Sequence, residues 1–157
     1  MDTNDSPTNP AQSTTPGTTP GTTARTDRPA PCLDAIGLVT ADMAASLAFY
    51  RLLGLDVPPG AEADPHVEVT LPGGARVLWD TEDTVRSYDP GWTRPSGGDR
   101  VALAFRCADP AQVDAVYGTL TAAGHQGRLK PWDAVWGQRY AVVHDPDGAA
   151  VSLYADR

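Results

Sequence analysis

The stretch Gln138-Arg139-Tyr140-Ala141-Val142-Val143-His144-Asp145-Pro146-Asp147-Gly148-Ala149-Ala150-Val151-Ser152-Leu153-Tyr154 decides the fold. Residues 138–144 read as one strand and 149–154 as the strand that returns. Between them, Asp145-Pro146-Asp147-Gly148 makes the turn. The segment is therefore a β-hairpin. Upstream, an irregular strand falls near Gly127 to Trp132. Before it, Asp109-Pro110 opens a helix with an N-cap and a proline at the first helical position. Val113, Val116, Tyr117 and Leu120 recur at helical spacing, and Gly124 stops the run. Arg100 to Cys107 reads as the strand before that helix. The second half thus spells strand, helix, three strands.

The first half repeats this grammar. Leu33 to Val39 reads as a strand, Asp42 as an N-cap, and Met43, Leu47, Tyr50 and Leu53 as one helix face, closed by Gly54. His66 to Leu71 alternates apolar and polar residues, Pro72-Gly73-Gly74 turns, and Ala75 to Asp80 returns. Ala41-Asp42 matches Ala108-Asp109, Tyr50 matches Tyr117 at the same offset, and Pro72-x-Gly74 matches Pro146-x-Gly148. An internal repeat of this kind points to an α+β fold built of two βαβββ modules, about 32–86 and 99–156. Each sheet covers its helix with one face. The other faces form a cupped mixed sheet around a cavity.

Composition narrows the class. The chain has 157 residues, 12 Lys and Arg against 20 Asp and Glu, and a net charge of −8. One domain is expected at this length. Residues 1–31 are a Thr/Pro-rich tail without apolar periodicity, expected to be disordered, and residues 32–157 the folded domain. No apolar run reaches the length of a membrane helix, and no secretory signal pattern opens the chain. The acidic balance argues against nucleic acid as partner. Cys32 and Cys107 are too few for a disulfide framework, and each reads as a small buried apolar residue. A soluble cytoplasmic protein is expected.

With these elements in place, the sequence resembles the vicinal oxygen chelate superfamily: glyoxalase I, extradiol dioxygenases, fosfomycin resistance proteins and bleomycin-binding proteins. The resemblance rests on Ile36-Gly37-Leu38-Val39, Asp42, Ser46, Phe49-Tyr50 and Leu53-Gly54-Leu55. In the second half it rests on Ala104-Phe105-Arg106, Trp136-Gly137-Gln138-Arg139-Tyr140 and His144-Asp145-Pro146-Asp147-Gly148. It implies the glyoxalase/bleomycin resistance fold and, in the family's enzymes, a divalent metal held by His, Gln or Glu. Those ligand positions fall here on Ala35, Leu78, Ala102 and Ser152, so the family metal site is expected to be vacant and no cofactor is expected. Asp34, one position earlier, is expected to point toward the helix. An alternative metal trio is His66, Glu68 and His144, which also read as ordinary polar cavity residues.

Alternation names the side chains that face the cavity. His66, Glu68, Arg76, Arg106, Tyr140, His144 and Tyr154 are candidate ligand-binding residues from the strands. Trp92, Trp132 and Trp136 are candidates from the loops, where flat rings stack on planar or cationic ligands. Trp79 is expected in the core, and Arg139 is expected to pair with a carboxylate or loop carbonyls. No nucleophile elbow, phosphate loop or Cys-x-x-Cys motif is present, and no catalytic residue is assigned. The reading is a metal-independent small-molecule-binding protein that sequesters a planar or partly aromatic ligand such as an antibiotic. The alternative is a metal-dependent lyase, isomerase or dioxygenase of the same superfamily. The resemblance also implies a homodimer with clefts between subunits. Neither nucleic acid nor membrane is expected as partner.

Overall fold

The two aspartates of the repeat each start a helix in the computed structural model, which describes residues 31–96 and 100–157. The Asp42 carboxylate accepts from Ala45 N at 3.0 Å and opens α1 (Met43–Leu52). The Asp109 carboxylate accepts from Gln112 N at 2.8 Å and opens α3 (Pro110–Ala122). Both satisfy an N–H that a helix start otherwise leaves unpaired. The strands are β1 (Ala35–Thr40), β2 (His66–Thr70), β3 (Arg76–Thr81), β4 (Leu103–Arg106), β5 (Gly127–Asp133), β6 (Gln138–His144) and β7 (Ala150–Asp156). The disorder expected of the tail concerns residues of which 1–30 lie outside those described.

The strands form two sheets, ordered β1-β3-β2 and β4-β7-β6-β5. β1 runs parallel to β3, and β4 parallel to β7, while the hairpins β2–β3 and β6–β7 are antiparallel. The two modules thus share one plan, and the mixed α+β class holds. They differ at one element. Where the second module has β5, the first has a 3-10 turn at Ala61–Ala63. Pro58, Pro59 and Pro65 surround that turn, and proline cannot donate to a strand ladder. β5 is itself irregular, with register shifts on either side of Leu129. Gly127 starts it because a Cβ there would fall 2.1 Å from the Tyr117 hydroxyl.

The helix-facing residues build the core. Val67, Val69, Val77 and Trp79 from the first sheet are buried with Ala141, Val143, Val151 and Leu153 from the second, against Leu47, Phe49 and Tyr50 of α1 and Val113 and Leu120 of α3. Trp79 is fully buried as expected, with its ring 5.3 Å from that of Tyr50. Cys107 is buried, but Cys32 is exposed, contrary to expectation, because it precedes β1 and has no sheet to cover it. The sequence reading also passed over a short helix, α2 (Glu82–Tyr88). Its signals were present: Thr81 caps Thr84 N, Glu82 and Asp83 sit in the first turn, and Arg86 in the last.

One polar contact ties the halves together inside this core. The Tyr50 hydroxyl donates to Asp145 Oδ2 at 3.0 Å. Asp145 Oδ1 accepts from Asp147 N and Ala149 N at 3.0 and 2.8 Å, which closes the β6–β7 turn. Asp147 Oδ1 in turn accepts from Ala41 N at 2.9 Å, at the start of the first module's helix. Burial pushes the Asp145 carboxyl above its ordinary 3.8, against the lowering effect of the Ala149 and Tyr50 hydrogen bonds, and the Asp147 charge adds to the rise. Burial, with the Asp145 charge beside it, pushes the Tyr50 phenol up as well.

Removing the Tyr50 hydroxyl with Tyr50→Phe is expected to cost about 1–3 kcal/mol in urea unfolding, since a buried carboxylate loses a donor. A cost near zero would contradict the link. Because the folded carboxyl binds its proton more tightly than the unfolded one, its stabilising contribution is full below the ordinary carboxylate value and is lost as pH rises through the folded value. Asp145→Asn removes that dependence, so its stability relative to the parent is expected to rise as pH climbs from the ordinary carboxylate value through the raised folded one. A pH-independent difference would contradict the assignment.

Candidate functional site

Period-two alternation leaves each sheet with an open face, and the strand register says which residues share it. On the first sheet Ala35 lies beside Arg76, and Leu78 between Gly37 and Glu68. On the second, Ser152 lies between Ala104 and Val142, with Val151 and Leu153 on the helix side fully buried. Ala102 precedes β4. The four positions offer two methyl groups, an isobutyl group and a hydroxyl. A divalent metal of the family type needs imidazole, carboxylate or amide donors, so the residues present do not fit it. The alternative trio of His66, Glu68 and His144 does not gather either. No three His, Cys, Asp or Glu side chains form a metal-holding group among the described residues.

The open face of the first sheet is a ladder of paired charges. His66 Nδ1 lies 2.8 Å from Asp80 Oδ1, its cross-strand neighbour. The Arg76 guanidinium donates to Glu68 Oε2 at 2.5 Å and to the Asp34 carboxylate. Asp34 therefore reaches the arginine of the open face, where the sequence reading sent it toward the helix. The Asp34 hydrogen bond and charge, with the Glu68 charge, hold the Arg76 guanidinium above its usual range. Both Arg76 and Glu68 are thus committed to each other rather than standing free for a ligand.

The open face of the second sheet is aromatic. Register places Trp132 of β5 opposite Tyr140 of β6, and Tyr140 opposite Tyr154 of β7. The Trp132 and Tyr140 rings are 5.2 Å apart and meet edge to face. Tyr140 and Tyr154 are near parallel at 6.3 Å. Trp136, in the turn between β5 and β6, completes the group at 5.7 Å from Tyr140 and 6.3 Å from Trp132. That turn is closed by Gly137 at φ 90° and by Gly137 N donating to Ala134 O. Trp136 remains 59% exposed. The sequence reading named all four rings; their association follows from pairings that alternation alone does not specify.

The other expected residues take separate places. Arg106 on β4 pairs with Asp156 of β7. His144, at the end of β6, has Nδ1 3.2 Å from Gln126 Oε1. Trp92 makes none of these ring contacts. It lines a cleft of about 680 Å³ with Leu38 and Val39 of β1, Arg94, Arg100 and the Asp147–Gly148 turn. There the Arg86 guanidinium sits 5.2 Å from its ring centroid. Glu82 accepts from both Arg86 and Arg94, which holds its carboxyl below the usual range. Gln138 and Asp156, which the sequence reading did not single out, bridge the aromatic face: Gln138 accepts from Trp136 and donates to Asp156.

Arg139 has the carboxylate partners expected of it. Its Nε and Nη2 grip Asp114 of α3 at 2.9 and 3.1 Å, and Nη1 donates to Asp133 of β5 at 3.1 Å. The fork ties a helix to two strands behind the aromatic face.

Comparison with known proteins agrees with this geometry. A family model described as Glyoxalase/Bleomycin resistance protein/Dioxygenase superfamily matches residues 32–153. Among solved structures, a glyoxalase/bleomycin resistance protein/dioxygenase family enzyme from Burkholderia phytofirmans superposes with a TM-score of 0.68 at 17% identity, covering 80% of this chain and 98% of that one. A glyoxalase-related enzyme from Fulvimarina pelagi gives 0.67 at 22% identity, covering 80% and 88%. A lactoylglutathione lyase from Agrobacterium tumefaciens gives 0.56 at 20% identity, covering 82% and 96%. At these identities the likeness is one of fold. No curated protein sequence matches the chain.

Arg139→Lys is expected to lower the thermal midpoint, because an ammonium cannot reproduce the two-pronged grip on Asp114. Binding of a planar dye to the aromatic face is expected to persist in that variant. Loss of binding with an unchanged midpoint would instead make Arg139 a ligand contact.

Proposed function

The chain belongs to the glyoxalase/bleomycin resistance protein/dioxygenase superfamily, and we propose that it is a metal-independent member that binds a planar or partly aromatic small molecule, such as an antibiotic, and sequesters it in the cytoplasm. The observation that carries this reading is the four-ring aromatic group of Trp132, Trp136, Tyr140 and Tyr154, on the side of the sheet where the buried Ser152 stands at the position the resemblance gives to a metal ligand. Flat side chains give contact area at low entropy cost, and stacking favours flat ligands. The donor set at Ala35, Leu78, Ala102 and Ser152 supports the metal-independent form. A lyase or dioxygenase that works through a divalent metal needs ligands those positions lack. The charged groups of the first sheet are taken up by one another, so the ligand contacts proposed here come from the second sheet.

A homodimer belongs to the same reading. β1 and β4 are edge strands of their sheets, and an uncovered edge is a pairing surface. Sedimentation at twice the chain mass supports a dimer; sedimentation at the chain mass removes that part of the proposal.

The test is a titration of the purified protein with an acridine dye, read by quenching of tryptophan emission. Saturable binding is expected, unchanged by EDTA and weakened about tenfold by Trp136→Ala, the weight of one aromatic contact. Absence of saturable binding, or binding that EDTA abolishes, would overturn the reading.

A further inference from the structure

Trp136 is more than half exposed, yet its indole is anchored. Its Nε1–H donates to Gln138 Oε1 at 3.0 Å. Gln138 Nε2 donates to Asp156 Oδ1 at 3.1 Å. The second oxygen of Asp156 accepts from Arg106 Nη2 at 2.5 Å. These bonds make one chain that crosses the ends of β6, β7 and β4. Gln138 and Asp156 are backbone register partners, and Arg106 pairs with Tyr154 two residues before Asp156, so the sheet itself brings the groups together.

The direction of each bond follows from chemistry. An indole N–H and a guanidinium only donate, and an ionised carboxylate only accepts. The link between Trp136 and Asp156 must do both, and a primary amide does. A glutamate at position 138 would accept from the indole but oppose Asp156, and a lysine would serve Asp156 but offer the indole nothing. Exposed hydrogen bonds of this kind add little to folding stability. They do remove rotational freedom from a large side chain before any ligand arrives, which lowers the ordering cost of binding.

We propose that Gln138, Asp156 and Arg106 are positioning residues that hold the Trp136 ring as the fixed side wall of the ligand slot. The inference rests on the function proposed above. The Trp136 ring stands at 79° to Tyr140 and 89° to Trp132, whereas Tyr140 and Tyr154 lie within 26° of each other. The group is therefore a corner, with the two tyrosines as floor and Trp136 as wall. A flat ring that stacks on one surface meets the other at its edge, the two arrangements aromatic pairs favour. The Arg106 guanidinium, engaged by Asp156, serves the wall and not an anionic group of the ligand.

The test uses the full chain labelled with 5-fluorotryptophan, in which fluorine NMR resolves Trp136 by comparison with Trp136→Phe. In Gln138→Leu the Trp136 resonance is expected to shift and sharpen as the ring gains motion. The other tryptophan resonances are expected to stay. Acridine affinity is expected to fall about fivefold, the weight of about one hydrogen bond. Arg106→Leu, which touches only the far end of the chain of bonds, is expected to act in the same direction with a smaller size. It also serves as the test should Gln138→Leu fail to fold. An unchanged Trp136 resonance and affinity in these variants, while Trp136→Ala weakens the dye, would overturn the positioning role and leave the binding function standing. Dye binding that Trp136→Ala leaves unchanged would overturn both.

Discussion

A carboxylate drawn out of water holds this molecule together. Asp145 closes the β6–β7 turn through two backbone N–H groups and receives the Tyr50 hydroxyl from the first module's helix. The side chain adds two hydrogen bonds to those the turn's own backbone makes, and its burial is offset by those donors. Asp147 extends the clasp to the backbone at Ala41. The same Tyr50 ring packs edge to face against Trp79 of β3. With the helix side of each sheet settled in this way, period-two alternation turns the remaining side chains of each strand to the opposite side.

The two open faces use that freedom differently. The first sheet places opposite charges across its strands, so that Arg76 is taken by Asp34 and Glu68, and His66 faces Asp80. The second sheet places rings across its strands, with Gln138 and Asp156 at the strand ends linking Trp136 to Arg106 by hydrogen bonds. Ala35, Leu78, Ala102 and Ser152 stand at the positions the resemblance gives to metal ligands. Their side chains offer no donor set to hold a cation. In the reading proposed above, recognition rests on ring faces rather than on a metal centre.

Much of this was legible in the sequence because it is local. The Asp-Pro-Asp-Gly turn, the two helix caps, the Gly54 and Gly124 stops and the alternation through Val67 and Val69 each follow from a few adjacent residues. The burial of Trp79 and the placing of Tyr140 and Tyr154 on the face away from the helices follow from the same alternation, whereas Trp132, read as a loop ring, joins them through the β5–β6 register. What was not legible depends on partners far apart in the chain. The Arg106–Asp156 pair spans 50 residues and the Arg76–Asp34 pair 42. Only the strand register decides such pairings. Both arginines therefore read as ligand contacts until their carboxylates were located. The 3-10 turn at Ala61–Ala63 replaced an expected strand because prolines withhold the N–H groups a ladder needs. Helix α2 is short enough that its caps carried less weight than the loop residues around it.

The central claim is that the family site in this chain holds no divalent metal and works by ring contact. The most direct measurement is the metal content of the purified protein by elemental analysis, as isolated and after dialysis against zinc, manganese and iron(II). The account predicts no stoichiometric metal in either sample. About one tightly held metal per chain would contradict it and return the molecule to the metal-dependent enzymes of its family.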